Sequence, residues 1–567
     1  MDNKIIPYHL KLITTQSQTG YFSVVPESEP TLQESLTILR RRPFDDFFHK
    51  YVLSRIGEMT AEQMNRLLIT AKEENDETVQ ALLLEHLLLA QGRSGAEGSF
   101  SPEEISRLAE HTPLINIRSV LTKDRSLHTR WIGVFRDNMF THTPLPSPEA
   151  SGLEPLADAG NRSRGKTIVS ITDIRQSFVK ATQDAPVLFS AQKTAEIAEQ
   201  RLKKAGVHME EMMRHESSLS PIGLLRKWRV HTRVDNKRNR FSFTGEQTSY
   251  GKGLTPDDAK ASLMMEIVER CSAFASISQD GVLNLTRPYP VRYARYSELK
   301  QEKVSAVNPN DLALEIPYGD EPLHWVCGET PGKDDPVDAW IPLQCIFLFC
   351  NMDEQALFSS LGSTGFASGN TLEQAKVSAL LEVIERHQES TMPVDRSTFF
   401  RFVSKHEKIA PLLALYGYHK VSLQFQDITG PMGIPCCRCF VTDPAGTIQK
   451  GAAAGLSAKK AIISAITETT HPFPNGPASQ PVPRNLIVVD YEDLPDYSTG
   501  DPKSDLALLE SLLEKNNYRP YYIDLTRADI GLPVVRAIIP GMEIVGDFDD
   551  YSRVHPELFG NYLALFK

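Results

Sequence analysis

One stretch of this chain occurs twice and, more faintly, a third time, so the fold has to accommodate it as a repeated unit. Residues 253–270 read GLTPDDAKASLMMEIVER and residues 369–386 read GNTLEQAKVSALLEVIER. A shift of 116 positions superposes Gly253 on Gly369, Thr255 on Thr371, Ala259 on Ala375, Lys260 on Lys376 and Ser262 on Ser378. The same shift matches Glu266 to Glu382, Glu269 to Glu385 and Arg270 to Arg386. A third copy, GLSAKKAIISAITETTH from Gly455, puts Glu468 where the other two have Glu266 and Glu382.

Each copy reads as a helix with a start signal. Thr255, Thr371 and Ser457 stand at N-cap positions two residues after a glycine. Pro256 takes the first helical position, and Gln374 is expected to complete a capping box. Steps of three and four place Ala259, Ser262, Glu266 and Glu269 on one stripe, and likewise Ala375, Ser378, Glu382 and Glu385. Small residues beside paired carboxylates leave room for something to lie against the helix. One such face would read as solvated acidic surface, but its repetition favours a binding function.

Four carboxylates from two helices suit a hard cation. Mg²⁺ prefers oxygen ligands and often bridges to phosphates, which suggests a nucleotide with its metal ions. Arg270 and Arg386 would add fixed positive charge for those phosphates. The rival is a di-iron carboxylate site, which needs Glu-x-x-His on paired helices. Only Glu468 and His471 have that spacing, and the intervening sequence is strand-rich, so iron is disfavoured.

The chain has 567 residues, enough for two or three domains, with 41% hydrophobic and 23% charged residues as in an ordinary globular protein. Its net charge of −11 gives no support to nucleic-acid or membrane-surface binding. The longest apolar run, Leu82 to Ala90, is interrupted by Glu85 and His86, so no membrane span is expected. There is no signal-peptide pattern, and seven cysteines are no disulfide framework. Together these predict a cytoplasmic protein.

Residues 1–141 are expected to form an α-helical N-terminal domain. Phe44 to Ile56 has helical spacing, Thr60 with Gln63 starts the next element, Asp76 precedes a helix stopping at Gly92, and Ser101 begins another. A proline- and glycine-rich linker follows over 142–178. Within it, GNRSRGKT at 160–167 fits a phosphate-loop pattern. It lacks the preceding strand and following helix that aim backbone N–H groups at phosphate, and is read as a chance match. From 179 to 567, strands followed by long helices predict an α+β catalytic domain built from repeated strand–helix units. Cys436, Cys437 and Cys439 do not have zinc-site spacing and read as buried strand residues. His387 and His471 read as structural partners rather than bases.

The segments SYGKGLTPDDAKASLMMEIVER, ASGNTLEQAKVSALLEVIER and DLTRADIGLPVVRAIIPGME resemble the YcaO family over roughly residues 180 to 555. The resemblance implies ATP- and Mg²⁺-dependent activation of a peptide-backbone amide. A nucleophile adds to the amide carbon, and the resulting oxyanion takes the γ-phosphate, leaving later as phosphate. Carried over by residue, Glu266, Glu269, Glu382 and Glu385 hold Mg²⁺, with Glu382, Glu385 and Arg386 closest to catalysis. Lys252, Arg270 and Arg386 face phosphates, and Ser262 and Asn370 lie in the nucleotide pocket. Family members often have an acidic residue at the position of Gln374, so one polar contact to nucleotide or metal is expected to differ.

The nucleophile decides the product. A substrate side chain gives an azoline, whereas external sulfide gives a thioamide, usually with a TfuA-type partner protein. Azoline-forming relatives typically end in Pro-x-Pro-x-Pro, and this chain ends FGNYLALFK, which favours thioamidation. Support of ribosomal-protein methylthiolation, azoline formation and a non-catalytic scaffold for a leader peptide or partner enzyme stay open, as does a homodimer. Intact Glu-x-x-Glu-Arg on two helices argues against the scaffold. The expected partners are a peptide or protein substrate, with no nucleic acid and no membrane.

Overall fold

A computed structural model describes residues 5–14, 20–156, 168–178 and 189–567. The phosphate-loop match at 160–167 lies outside the described residues. The class is α+β, as expected, and among the described residues the longer strands form three sheets.

The first sheet is built on a long hairpin, Ile222–Asn236 with Asn239–Gly253, in antiparallel register from Ile222↔Gly253 to Asn236↔Asn239. Alternate residues face the core, Trp228, Val230 and Val234 from one strand and Phe241 and Phe243 from the other. Two N-terminal strands, Ile6–Thr14 and Gly20–Pro26, extend this sheet, the first pairing in parallel with the hairpin through Ile6↔Phe241 to Leu10↔Gly245. The helical character expected over 1–141 therefore begins only at Leu32. The reason is visible in IPYHLKLIT, where alternation buries Tyr8 and Leu10, a period-two pattern. Tyr8 meets Phe47 and Phe241 edge-on at 5.5 and 5.8 Å, and its hydroxyl donates to Asp45 at 2.8 Å. Strand, helix and hairpin thus share one core.

The helices follow their start signals. Asp45 caps Asp46–Ile56, Thr60 and Gln63 close a capping box on Ala61–Glu73, and Ser101 with Glu104 closes another on Pro102–Leu108. The helix capped by Asp76 breaks at Gly92 (φ 67°, ψ −165°), and a further helical stretch follows to Glu97.

The second sheet runs Val337–Pro342, Leu323–Thr330, Tyr521–Asp524, Val534–Ile538 and Phe366–Ser368, with Arg292–Ala294 beside Leu323–Thr330. The third runs Ile448–Ala454, Cys436–Thr442, Gln424–Asp427, Phe399–Val403 and Ile487–Asp490. Cys436, Cys437 and Cys439 are buried on this sheet, as their strand character predicts.

The three repeat helices are Pro256–Ala273, Leu372–Thr391 and Ala458–Glu468, and each leaves a strand of a different sheet. The glycines permit close crossing: a Cβ at Gly253 would meet the Ala259 nitrogen at 2.5 Å, and one at Gly369 the Ala375 nitrogen at 2.6 Å. Thr255 and Thr371 cap as expected, but Ser457 makes no side-chain cap bond. Gln374 does not close a capping box either. Its side chain reaches past the cap and accepts from the Asn370 N–H at 2.9 Å.

Candidate active site: paired carboxylates on repeated helices

In the first two repeats one helix face is buried through Ala259, Leu263, Ile267 or Ala375, Ala379, Val383, while Ser262 and Ser378 stay exposed. The glutamates lie at the boundary. Glu269 and Glu385 each keep 15% of their side-chain surface exposed. The two helices are tied where Ser368, at the end of the strand before the second, donates to the Met265 carbonyl of the first at 2.9 Å. Glu266 accepts from the Tyr250 N–H at 3.1 Å and Glu385 from the Ala454 N–H at 3.2 Å. Arg270 pairs with Glu269 at 3.2 Å and Glu266 at 3.8 Å. Arg386 pairs with Glu385 at 3.7 Å and Glu389 at 3.2 Å.

These carboxyls hold protons more tightly than ordinary ones. Burial pushes Glu269 up to about 8; Arg270 opposes the rise, and the neighbouring Glu382 and Glu266 add to it. Burial likewise pushes Glu385 up to about 8 against the pull of Arg386. Glu266 and Glu382 are raised for the same reason, despite the arginines beside them. The repulsion between Glu269 and Glu382 places carboxylates of the two helices in one field. The four carboxyls are largely removed from water, and the donor set is oxygen throughout. Oxygen donors are the chemistry of a hard divalent cation such as Mg²⁺, although among the described residues only His387, His555 and Glu557 bring three ligand atoms within 4.8 Å of one another.

Two charged residues to which the sequence assigned no role in the site join the cluster. Arg536, on the strand Val534–Ile538, is buried beneath it, donates to the Gly362 carbonyl at 3.1 Å and lies over the Phe366 ring at 4.3 Å. Burial lowers its pKa to about 10 against the opposing field of Glu382, with Glu269 acting the same way. The available signal was an arginine inside the apolar run PVVRAIIP. The other is Glu468 of the third repeat, which the match with Glu266 and Glu382 had singled out without a role. It pairs with Lys252 at 2.5 Å, and its charge reaches both Glu266 and Arg386.

The remaining expected residues are spread along the helices. Asn370, exchanging hydrogen bonds with Thr194 at 3.2–3.3 Å, stands just before the Thr371 cap of the second helix, whereas Glu382 lies ten residues past Leu372, about 15 Å into the helix at 1.5 Å each. Ser262 stands one turn before Glu266. His471 is committed elsewhere, to Gln449 at 2.8 Å and the Pro477 carbonyl at 3.0 Å, which removes the Glu-x-x-His partner a di-iron site would need. His387 is a structural partner: it accepts from the Glu543 N–H at 3.2 Å and meets Glu557 at 2.9 Å. With His555 it forms a compact His–His–Glu group, but His555 also spends its ring nitrogens, on the Gly541 carbonyl and the Glu557 N–H.

Arg386 also lines a cavity of about 200 Å³ with Glu389, Lys450 and residues 543–548. Glu389 bridges Arg386 and Lys450, at 3.2 and 2.9 Å. Burial works against its charge, but Lys450, Arg386 and Arg438 outweigh it and hold the carboxyl down to about 2.

A family model described as YcaO cyclodehydratase, ATP- and Mg²⁺-binding, matches residues 250–476 and 470–543. An uncharacterized protein of Methanothermobacter thermautotrophicus is 28% identical over 335 residues, 52% of this chain and 81% of that protein. Among solved structures, YcaO from Methanopyrus kandleri bound with AMPPCP and Mg²⁺ aligns at 20% identity and a TM-score of 0.44, over 65% of this chain and 94% of its own. A heterocyclase in complex with substrate and cofactor aligns at 19% identity and a TM-score of 0.46, over 66% of this chain. The present chain spans 56% of that heterocyclase. The chain belongs to the YcaO family. As a member it is an ATP-dependent enzyme, with ATP and Mg²⁺ as its cofactors.

Proposed function

We propose that the chain transfers the γ-phosphoryl group of ATP to the oxygen of a backbone amide in a peptide or protein substrate. A nucleophile adds to the amide carbon, the former carbonyl oxygen becomes phosphorylated, and the C–O bond then breaks to release phosphate. The observation that carries this reading is the pair of Glu-x-x-Glu-Arg faces on two helices tied through Ser368 and Met265, with Arg386 also lining a cavity. Bound Mg²⁺ would neutralise charge on the triphosphate. Arg386, held by Glu385 and Glu389, would stabilise the transferring group. Ser262 and Asn370, further up the helices, would receive the nucleoside end. Among the described residues, the cysteines nearest this face are buried thiols: burial raises Cys436 and pushes Cys271 up to about 12. That disfavours a protein thiolate nucleophile and leaves phosphorylation of the substrate itself.

The finer reading is thioamidation with external sulfide, supplied through a TfuA-type partner. The test uses a substrate peptide with oxygen-18 in its backbone carbonyl. The label is expected in the released phosphate, and the product is expected to exchange oxygen for sulfur in its mass. Unlabelled phosphate alongside product would overturn amide O-phosphorylation. Loss of one water from the product would point to an azoline instead.

A further inference from the structure

The cavity beside Arg386 has a second lobe. An adjoining cavity of about 450 Å³ shares Ser390 and four residues of the segment 543–548 with it, so the two lie side by side. The inner lobe opens on Arg386, Glu389 and Lys450. The outer lobe is lined by the N-terminal helix Arg125–Thr141, residues 154–156, residues 310–315 and the segment leading into the last helix. Its volume is in the range of sites that enclose a small ligand or a side chain.

The charge on the outer lobe is lopsided. Arg553 makes a two-pronged pair with Asp124 at 2.6 and 2.8 Å, and the two charges largely cancel. Glu154, Asp311 and Glu315 also line it, and none has an ion-pair partner among the described residues. Glu154 and Asp311 are exposed, whereas Glu315 is buried and accepts from the Ser359 N–H at 2.6 Å and hydroxyl at 2.5 Å. Acidic residues alone would be ordinary surface. Here they rim a half-open cavity that shares lining residues with the candidate catalytic cavity.

We infer that the two lobes form the substrate channel, the inner one receiving the amide to be modified and the outer one a flanking lysine or arginine side chain. This rests on the amide-activation reading and adds to it a preference for cationic peptides. A lysine ammonium in the outer lobe would face the unpaired carboxylates that line it, while a glutamate there would be repelled.

The test offers the full chain two capped peptides, acetyl-Gly-Gly-Lys-Gly-Gly-amide and its glutamate counterpart, at low ionic strength. Binding is read by saturation-transfer NMR, and ATP·Mg²⁺ affinity is measured separately by calorimetry. The lysine peptide is expected to bind in preference to the glutamate peptide. The double variant Glu154→Lys, Asp311→Lys is expected to bind it about tenfold more weakly with ATP·Mg²⁺ affinity unchanged. A photo-crosslinker on the lysine side chain is expected to label residues 310–315 or 541–558. Equal binding of both peptides, no binding of either, an unaffected variant or labelling elsewhere each overturns the channel. Retained peptide preference without ATP·Mg²⁺ binding would instead overturn the amide-activation reading and leave the cationic subsite standing.

Discussion

Glu385, on the second repeat helix, accepts a hydrogen bond from the backbone N–H of Ala454, 3.2 Å away on the strand that leads into the third. This contact joins two repeats that are far apart in sequence and belong to different sheets. The same third repeat sends Glu468 to Lys252 on the strand that precedes the first helix. The site therefore draws on all three units, although only two carry the full Glu-x-x-Glu-Arg face.

The four glutamates are expected to make ATP affinity depend on Mg²⁺. Calorimetry with and without the ion should show tight binding only in its presence, and Glu382→Gln should weaken it by at least about tenfold, the scale of one lost charge–metal contact. Equal affinity in the variant would remove Glu382 from the site. Lys166→Ala, in the phosphate-loop match, should leave binding untouched, and a large loss there would revive that match as a nucleotide site.

Burial pushes Glu269 and Glu385 up to about 8, so each binds its proton more tightly in the folded chain than in the unfolded one. Their contribution to stability is present below the ordinary carboxylate range and is lost as pH rises toward about 8. Mg²⁺ would replace the protons and counter that loss. The rise in Tm on adding Mg²⁺ should be larger near pH 8.5 than near pH 6, and titration at about pH 7 should release protons. Equal rises at both pH values, with no proton release, would contradict the assignment of these carboxyls to the metal.

Arg386 should matter to turnover more than to nucleotide binding. Arg386→Ala is expected to lower kcat by about a hundredfold, the usual scale for losing one charge that stabilises a transition state. Glu389→Gln should have a smaller effect in the same direction, about tenfold, because it frees Arg386 and Lys450 rather than removing either charge. A change confined to KM in both variants would make the pair a binding element only.

Removing the N-terminal region should unfold the catalytic part rather than merely disconnect it. A chain beginning at Arg175 lacks the strand Ile6–Thr14 and the Tyr8, Phe47 and Phe48 side chains that share a core with Trp228 and Phe241. It is expected to be insoluble, or to melt far below the full chain, since deleting several large buried side chains costs about 3–5 kcal/mol each. A soluble fragment binding ATP·Mg²⁺ as the full chain does would show that the strand is dispensable and that the helices serve a partner or leader peptide.

Much of the site was legible because its information is local. Helical periodicity places Glu266 and Glu269, or Glu382 and Glu385, on one stripe wherever the helix sits, and Thr255 and Thr371 mark its start by a hydrogen bond three residues on. The glycines before those caps were visible too, as part of the repeat. Other features depended on where distant segments met. The N–H of Asn370 drew Gln374 past the expected capping box, and His471 turned to Gln449 and Pro477 rather than toward a metal. Arg536 came within the field of Glu382 and Glu269 because a strand late in the chain packs near two helices that come earlier. Ile6–Thr14 joined the catalytic sheet through pairing with residues more than 200 positions away. Periodicity and capping act within a few turns of one chain segment, so the sequence by itself determined the repeated helix and its carboxylate face. Strand pairing and burial of charge depend on which remote surfaces pack together, so only the tertiary structure decided which arginine lies under the carboxylates and which sheet the N-terminus completes.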